Sequence, residues 1–60
     1  MMTYTNEITG IGPYEFKLLQ VREDGAFCER FYQYRSSAEQ AGEVWQASVY
    51  RAHEYRGVYI

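Results

Sequence analysis

The side chains best suited to covalent or metal chemistry are one cysteine, Cys28, and one histidine, His53. A thiol nucleophile needs a base within hydrogen-bond distance and a third group that orients the base. The sequence places Cys28 in the middle of a predicted strand and His53 near the far end of a predicted helix, so we expect no catalytic pair. One cysteine forms no intrachain disulfide, and these two residues are too few for a structural zinc site. The sequence therefore predicts no enzyme activity, no metal and no cofactor.

The glycine pair in Gly10-Ile11-Gly12 is the other spacing with a chemical precedent. A dinucleotide-binding fingerprint needs a further glycine, a strand before it and a helix after it. In this chain Pro13 and a second strand follow the pair. The motif therefore predicts a loop between two strands.

Three strands are predicted before any helix. Residues 2–9 are rich in Thr, Tyr and Ile, which favour strands, and residues 14–22 and 26–34 follow as the second and third strands. Between these two, Asp24-Gly25 is typical of a two-residue type I′ hairpin turn, which needs positive φ at both positions.

A long helix is predicted for residues 37–56. Ser36 and Glu39 have the spacing of a capping box, in which each side chain accepts a hydrogen bond from the other residue's backbone N–H. Small and apolar residues then recur at helical spacing, with Trp45 at the centre of the face they form. Gly57 is placed to end the helix, and residues 58–60 could add a short strand. The predicted fold class is α+β, a single domain with an antiparallel β-sheet of about three strands packed by one long C-terminal α-helix.

The predicted two-residue turn divides the hairpin into two faces. One face holds four apolar side chains, which we assign to the helix: Phe16, Leu18, Phe27 and Phe31. The other face holds a mixed set that one helix cannot cover: Leu19, Val21, Cys28, Arg30, Tyr32 and Tyr34. Exposed apolar patches usually mark interaction sites, and Tyr and Arg are enriched at interfaces. We expect this face to bind a partner, unless the N-terminal segment or the C-terminal tail covers it within the chain.

The predicted outer face of the helix is acidic, with Glu39 and Glu43 near Tyr50. Amphipathic helices ordinarily expose such a face to solvent. The alternative is an acidic docking surface on which Tyr50 is an aromatic anchor.

Net charge limits the class of partner. The chain of 60 residues has six basic and eight acidic side chains, a net charge of −2 and a pI near 5.2. Proteins that bind nucleic acids ordinarily have a basic footprint, so DNA or RNA is not expected and a basic protein surface fits better. No apolar run is long enough to span a membrane, and the lone thiol suits a reducing compartment, so we expect a cytoplasmic protein.

The order of three strands and a helix resembles small DNA-binding domains of the phage-integrase arm type, and Ser37-Ala38-Glu39-Gln40-Ala41 is similar to the start of their helix. That resemblance implies DNA binding through basic, aromatic strands. On this hairpin, however, the few basic side chains are offset by as many acidic ones.

In its small size, its acidity and its seven tyrosines, the chain also resembles the small accessory proteins of phages and mobile elements, including anti-CRISPR and other anti-defence inhibitors. That resemblance implies binding of a host protein in the host cytoplasm and assigns no residue a role. We therefore predict a small inhibitor or adaptor that occludes a host protein. The alternatives are a nucleic-acid-binding module with three strands and a helix, and a homodimeric structural protein. A domain this small and without disulfides is often stabilised by association, so a homodimer is expected.

Overall fold

The computed structural model describes residues 2–47 and 55–60, which form a four-stranded mixed sheet with one helix. The elements in chain order are β1 (Met2–Gly12), β2 (Glu15–Arg22), β3 (Phe27–Tyr32), α1 (Arg35–Gly42) and β4 (Tyr55–Tyr59). The strands lie in the order β3-β2-β1-β4, with antiparallel pairing of β1 with β2 and of β2 with β3, and parallel pairing of β1 with β4. The first three strands overlap the predicted ones, and the fourth includes part of the predicted tail strand.

The predicted long C-terminal helix is wrong. Helix α1 ends at Gly42, Trp45 follows in irregular backbone, and residues 55–59 form an edge strand beside β1. Residues 48–54 of the predicted helix lie outside the described residues. Residues 2–47 and 55–60 form a mostly β structure with one short helix, and the predicted antiparallel three-stranded sheet under a long helix is replaced by a mixed four-stranded sheet.

Two buried amides on the sheet explain where the helix ends. The Asn6 Nδ2 group donates to the Gly42 carbonyl at 2.9 Å, and the Gln20 Nε2 group donates to the Val44 carbonyl at 3.1 Å. In return, the Gln46 backbone N–H donates to the Gln20 Oε1 atom at 3.3 Å. Asn6 and Gln20 are both fully buried, so the irregular chain after α1 satisfies polar groups that a continuing helix would leave without partners.

The start of the helix also differs from the prediction. The N-cap residue is Tyr34, whose side chain makes no capping hydrogen bond, and Ser36 lies inside the first turn. The Ala38 backbone N–H donates to the Tyr34 carbonyl at 3.2 Å. A capping box at Ser36 needs an extended residue there, and the helix has already begun at Arg35.

The core lies between α1 and one face of the sheet. Tyr4, Leu18, Ala38 and Trp45 are its buried apolar residues. The Trp45 ring lies 5.5 Å from the Tyr4 ring and 6.4 Å from the Tyr55 ring, measured between centroids. Trp45 is therefore a core residue, as predicted, although irregular backbone positions it instead of a helix.

The turn between β2 and β3 has three residues, and the predicted two-residue type I′ turn is wrong. The Gly25 N–H donates to the Arg22 carbonyl at 2.9 Å, and the Arg22 N–H donates to the Ala26 carbonyl at 2.7 Å. Gly25 has a φ of +95°, which a glycine adopts without strain, and these bonds define a tight turn closed by a glycine bulge. Val21 consequently lies opposite Phe27, where the prediction placed Arg22.

Candidate protein-binding surface

A shift of one residue in strand register moves every side chain of β3 to the opposite face. The structure pairs Leu18 with Arg30 and Val21 with Phe27. Cys28, Arg30 and Tyr32 therefore share the face that α1 covers, and Phe27 and Phe31 share the other. For β3 the predicted face assignment is wrong, because it depended on the two-residue turn. For β2 it holds, since Leu18 is buried and Val21 is exposed.

We call the uncovered side of the sheet the open face. Strand alternation and the observed register place these residues on it: Thr3, Thr5, Glu7, Lys17, Leu19, Val21, Phe27, Glu29, Phe31, Arg56 and Val58. None of the elements that the structure describes packs over this face. A sheet face with this many apolar side chains is unusual in contact with water.

An apolar row crosses all four strands of the open face. Phe27 lies beside Val21, Val21 beside Thr5, and Thr5 beside Val58. Of these side chains, Phe27 is 69% exposed, Val58 47% and Val21 36%. Cross-strand neighbours of this kind contact one another side by side, so the row is a strip perpendicular to the strands that is apolar except for the Thr5 hydroxyl, which donates to the Val21 carbonyl at 3.4 Å.

An acidic row runs beside the apolar row. Leu19 lies between Glu29 on β3 and Glu7 on β1. The Glu29 carboxylate has a basic neighbour, since its Oε2 atom lies 3.8 Å from the Lys17 Nζ atom. On the opposite side of the apolar row, Arg56 lies beside Thr3 and is exposed. The open face therefore has an acidic flank on one side of its apolar strip and a mixed flank on the other, where Arg56 is joined by the Glu23 carboxylate, which accepts a hydrogen bond from the Thr3 hydroxyl at 3.1 Å.

The end of the sheet next to the apolar row is held by hydrogen bonds. Arg22 forms a bidentate contact with Asp24, with Nε to Oδ1 at 2.8 Å and Nη2 to Oδ2 at 2.6 Å. The Arg22 side-chain hydrogen bond, followed by one from the Ala26 N–H, lowers the pKa of the Asp24 carboxyl. Glu23 accepts a hydrogen bond from the Thr3 N–H at 2.5 Å and so ties the turn to β1. The turn that sets the register of the open face is thus well anchored.

The predicted partner-binding residues do not form one surface. Leu19 and Val21 lie on the open face, whereas Arg30 and Tyr32 lie on the opposite face of the edge strand β3. Tyr34 is exposed at the N-cap of α1, and Tyr50 lies outside the described residues.

The two predicted acidic residues lie at the other side of the molecule. Glu39 is on α1 and Glu43 is its C-cap residue, and both are exposed. Burial raises the pKa of the Tyr59 hydroxyl, and the carboxylates of Glu43 and Glu39 raise it further. Both acids are therefore near the end of β4, away from the open face.

Of the eleven residues placed on the open face, only Leu19 and Val21 were in the predicted partner-binding set, and those missed include Glu7, Phe27, Phe31, Arg56 and Val58. One sequence signal could have identified the phenylalanines. Asp-Gly also fits a three-residue turn with glycine in the left-handed region, and that turn places Phe27 and Phe31 on the face of Val21. Arg56 and Val58 had no such signal, because they were assigned to the end of the helix and to a tail.

Comparison with protein-family models, curated proteins and solved structures found no match to this chain. In the part of the chain that the structure describes, no helix combines the length and apolar character needed to cross a membrane. Within the same residues, no group of three or more His, Cys, Asp or Glu side chains is placed to hold a metal ion.

Proposed function

We propose that this protein acts by binding another protein through the open face, and that it occludes the surface it covers. The observation that supports the proposal is the apolar row, a strip of exposed side chains that crosses a hydrogen-bonded sheet. Burial of an exposed Val or Phe side chain contributes about 1.5–3 kcal/mol, so Phe27, Val21 and Val58 offer a substantial driving force. This surface best serves an inhibitor or adaptor, and an anti-defence inhibitor is one protein of that kind.

The flanks of the row specify the chemistry of the partner. Glu7 and Glu29 favour a partner whose apolar strip lies beside basic groups, since charge complementarity steers encounter and sets orientation. The net charge of −2 acts in the same direction. We place this encounter in the cytoplasm, on the basis of the unpaired thiol of Cys28.

Site-specific photo-crosslinking tests the proposal. A photoreactive residue is placed at Val21 or Val58 on the open face, and at Gln40 on the exposed side of α1 as the control. The labelled protein is irradiated in the cells where it naturally acts. We expect one discrete crosslinked protein from the two open-face positions and none from Gln40. The proposal would be contradicted if Gln40 gave the same amount of crosslinked product as the open-face positions. It would also be contradicted if irradiation gave no more crosslinked product than is present in unirradiated cells.

Matched substitutions test the same surface by affinity. Phe27→Asp places a charge in the apolar row, and Tyr14→Asp places one on an aromatic residue of similar exposure, 68%, in the loop between β1 and β2. We expect Phe27→Asp to abolish the crosslinked product and Tyr14→Asp to retain it, with circular dichroism showing that both variants fold. Loss of the product in both variants would mean that binding does not depend on the open face.

A further inference from the structure

We infer that a second copy of this chain occupies the open face when no other partner does. The two copies pack face to face, related by a two-fold axis that runs along the apolar row. The inference rests on the proposed role of the open face as a protein-binding surface and names its resting occupant. The dimer and the complex then compete for one surface, so a partner must displace the second copy before it binds.

The size of the face fits a weak, reversible dimer. Four strands about 4.8 Å apart, each contributing roughly seven residues at about 3.3 Å rise, form a face on the order of 450 Å² in area. Two such faces bury on the order of 1,000 Å² in total, at the lower limit for a specific interface. A dimer with an interface of this size forms and dissociates as the protein concentration changes. The second copy can therefore be displaced by a partner protein.

The order of the rows determines which two-fold axis is acceptable. An axis parallel to the strands would place the acidic row of one copy on the acidic row of the other. An axis along the apolar row instead exchanges the two flanks, so that Arg56 and Glu23 of each copy meet the acidic row of the other, and fewer like charges face one another than with the first axis. The strands of the two sheets then run nearly antiparallel, within the aligned class of sheet packing.

This second arrangement pairs Arg56 with Glu7 of the second copy. In the row that crosses all four strands, Phe27, Val21 and Val58 each meet their own counterparts. Arg56 lies one strand to the side of the facing Glu7, about 4.8 Å, a distance that its long side chain spans. Within one chain, Arg56 and Glu7 lie two rows apart, about 13 Å along the strands, so they are not partners there. Because of the two-fold symmetry, the pair between Arg56 and Glu7 of the second copy forms twice in the dimer.

Charge reversal with rescue tests this pairing by sedimentation equilibrium on the full chain. We expect the wild type to dimerise at micromolar concentration. Because Arg56→Glu creates two like-charge contacts with Glu7 of the facing copies, it should weaken the dimer by about tenfold or more, and the double variant with Glu7→Arg should recover most of that loss. Arg30→Glu, on the opposite face of the sheet, is the matched control and should leave the dimer unchanged.

Three outcomes would overturn the inference: a 7.1 kDa monomer at millimolar concentration, an Arg56→Glu variant that does not differ from Arg30→Glu, and a double variant no tighter than Arg56→Glu. Circular dichroism of each variant identifies any loss of folding, and Phe27→Asp provides a second disruption that does not depend on charge pairing. If no dimer forms, crosslinks from Val21 and Val58 to a different protein would still support the proposed function. A dimer whose open face crosslinks only to itself would instead contradict the proposed function.

Discussion

Gly57 illustrates how closely the chain packs at the scale of one residue. A Cβ atom added there would lie 2.8 Å from Cε2 and 2.9 Å from Cζ of the Tyr4 ring. Tyr4 is buried and contacts Trp45, so its ring has little room to move away. The glycine that was predicted to end a helix is instead required for β4 to lie against a core tyrosine.

Gly57→Ala is therefore expected to destabilise the protein by about 1–3 kcal/mol, the usual cost of overpacking a well-packed site. Gly12→Ala is the control, because a Cβ atom there would meet its nearest atom at an ordinary 3.7 Å. Urea denaturation measures both variants. A Gly57→Ala midpoint at or above that of Gly12→Ala would contradict the close packing of β4.

The charge of Asp24 belongs to the same scale. Hydrogen bonds from Arg22 and Ala26 hold the pKa of Asp24 below its ordinary value of 3.8 in the folded protein. A carboxyl whose folded pKa is depressed contributes stability that is fully present above the unfolded pKa and is lost as the pH falls through the folded pKa.

We expect wild-type stability to exceed that of Asp24→Asn near neutral pH, and the difference to shrink as the pH falls below about 4, where the unfolded carboxyl is protonated. Urea midpoints of the two proteins between pH 2 and pH 7 measure the difference. Parallel curves over that range would show that Asp24 makes no such contribution.

At the scale of elements, the end of α1 is determined by the sheet beneath it. Gln20 links three parts of the chain, since its amide donates to Asn6 Oδ1 at 2.9 Å and to the Val44 carbonyl, and accepts from the Gln46 N–H. Each buried polar group left without a partner costs about 1–3 kcal/mol. The residues that stop the helix therefore lie about twenty or more positions earlier in the chain.

Gln20→Leu keeps the volume of the side chain and removes these hydrogen bonds, so we expect a loss of about 2–4 kcal/mol from the orphaned groups around Asn6 and Val44. Gln40→Leu makes the same substitution on the exposed side of α1, where surface changes are usually within about 0.5 kcal/mol. Thermal and urea unfolding compare the two variants. Equal stability of the two would mean that the buried amides do not hold the end of the helix.

At the scale of the whole molecule, the described part of the chain has one covered and one open sheet face, because its helix of eight residues covers only one side. No element that the structure describes packs over the apolar side chains of the open face. Pairing with a second copy and binding of a partner protein satisfy the same requirement. The charge-reversal and crosslinking experiments therefore both determine what covers this face.

By itself, the sequence determined the first three strands, the alternation along β2 and the burial of Trp45. These depend on local propensity, on the period of two in a strand and on the size of the indole. The sequence left the register of β3 open, because Asp24-Gly25 fits both a two-residue and a three-residue turn, and only the structure shows that the three-residue turn forms. The tertiary structure also decided where α1 ends, through Asn6 and Gln20. The contacts of Asn6 and Gln20 join residues distant in the chain, and the register of β3 depends on one turn conformation among several. Neither local spacing nor periodicity therefore predicts them. The register of β3 and the end of α1 together determine which side chains lie on the open face.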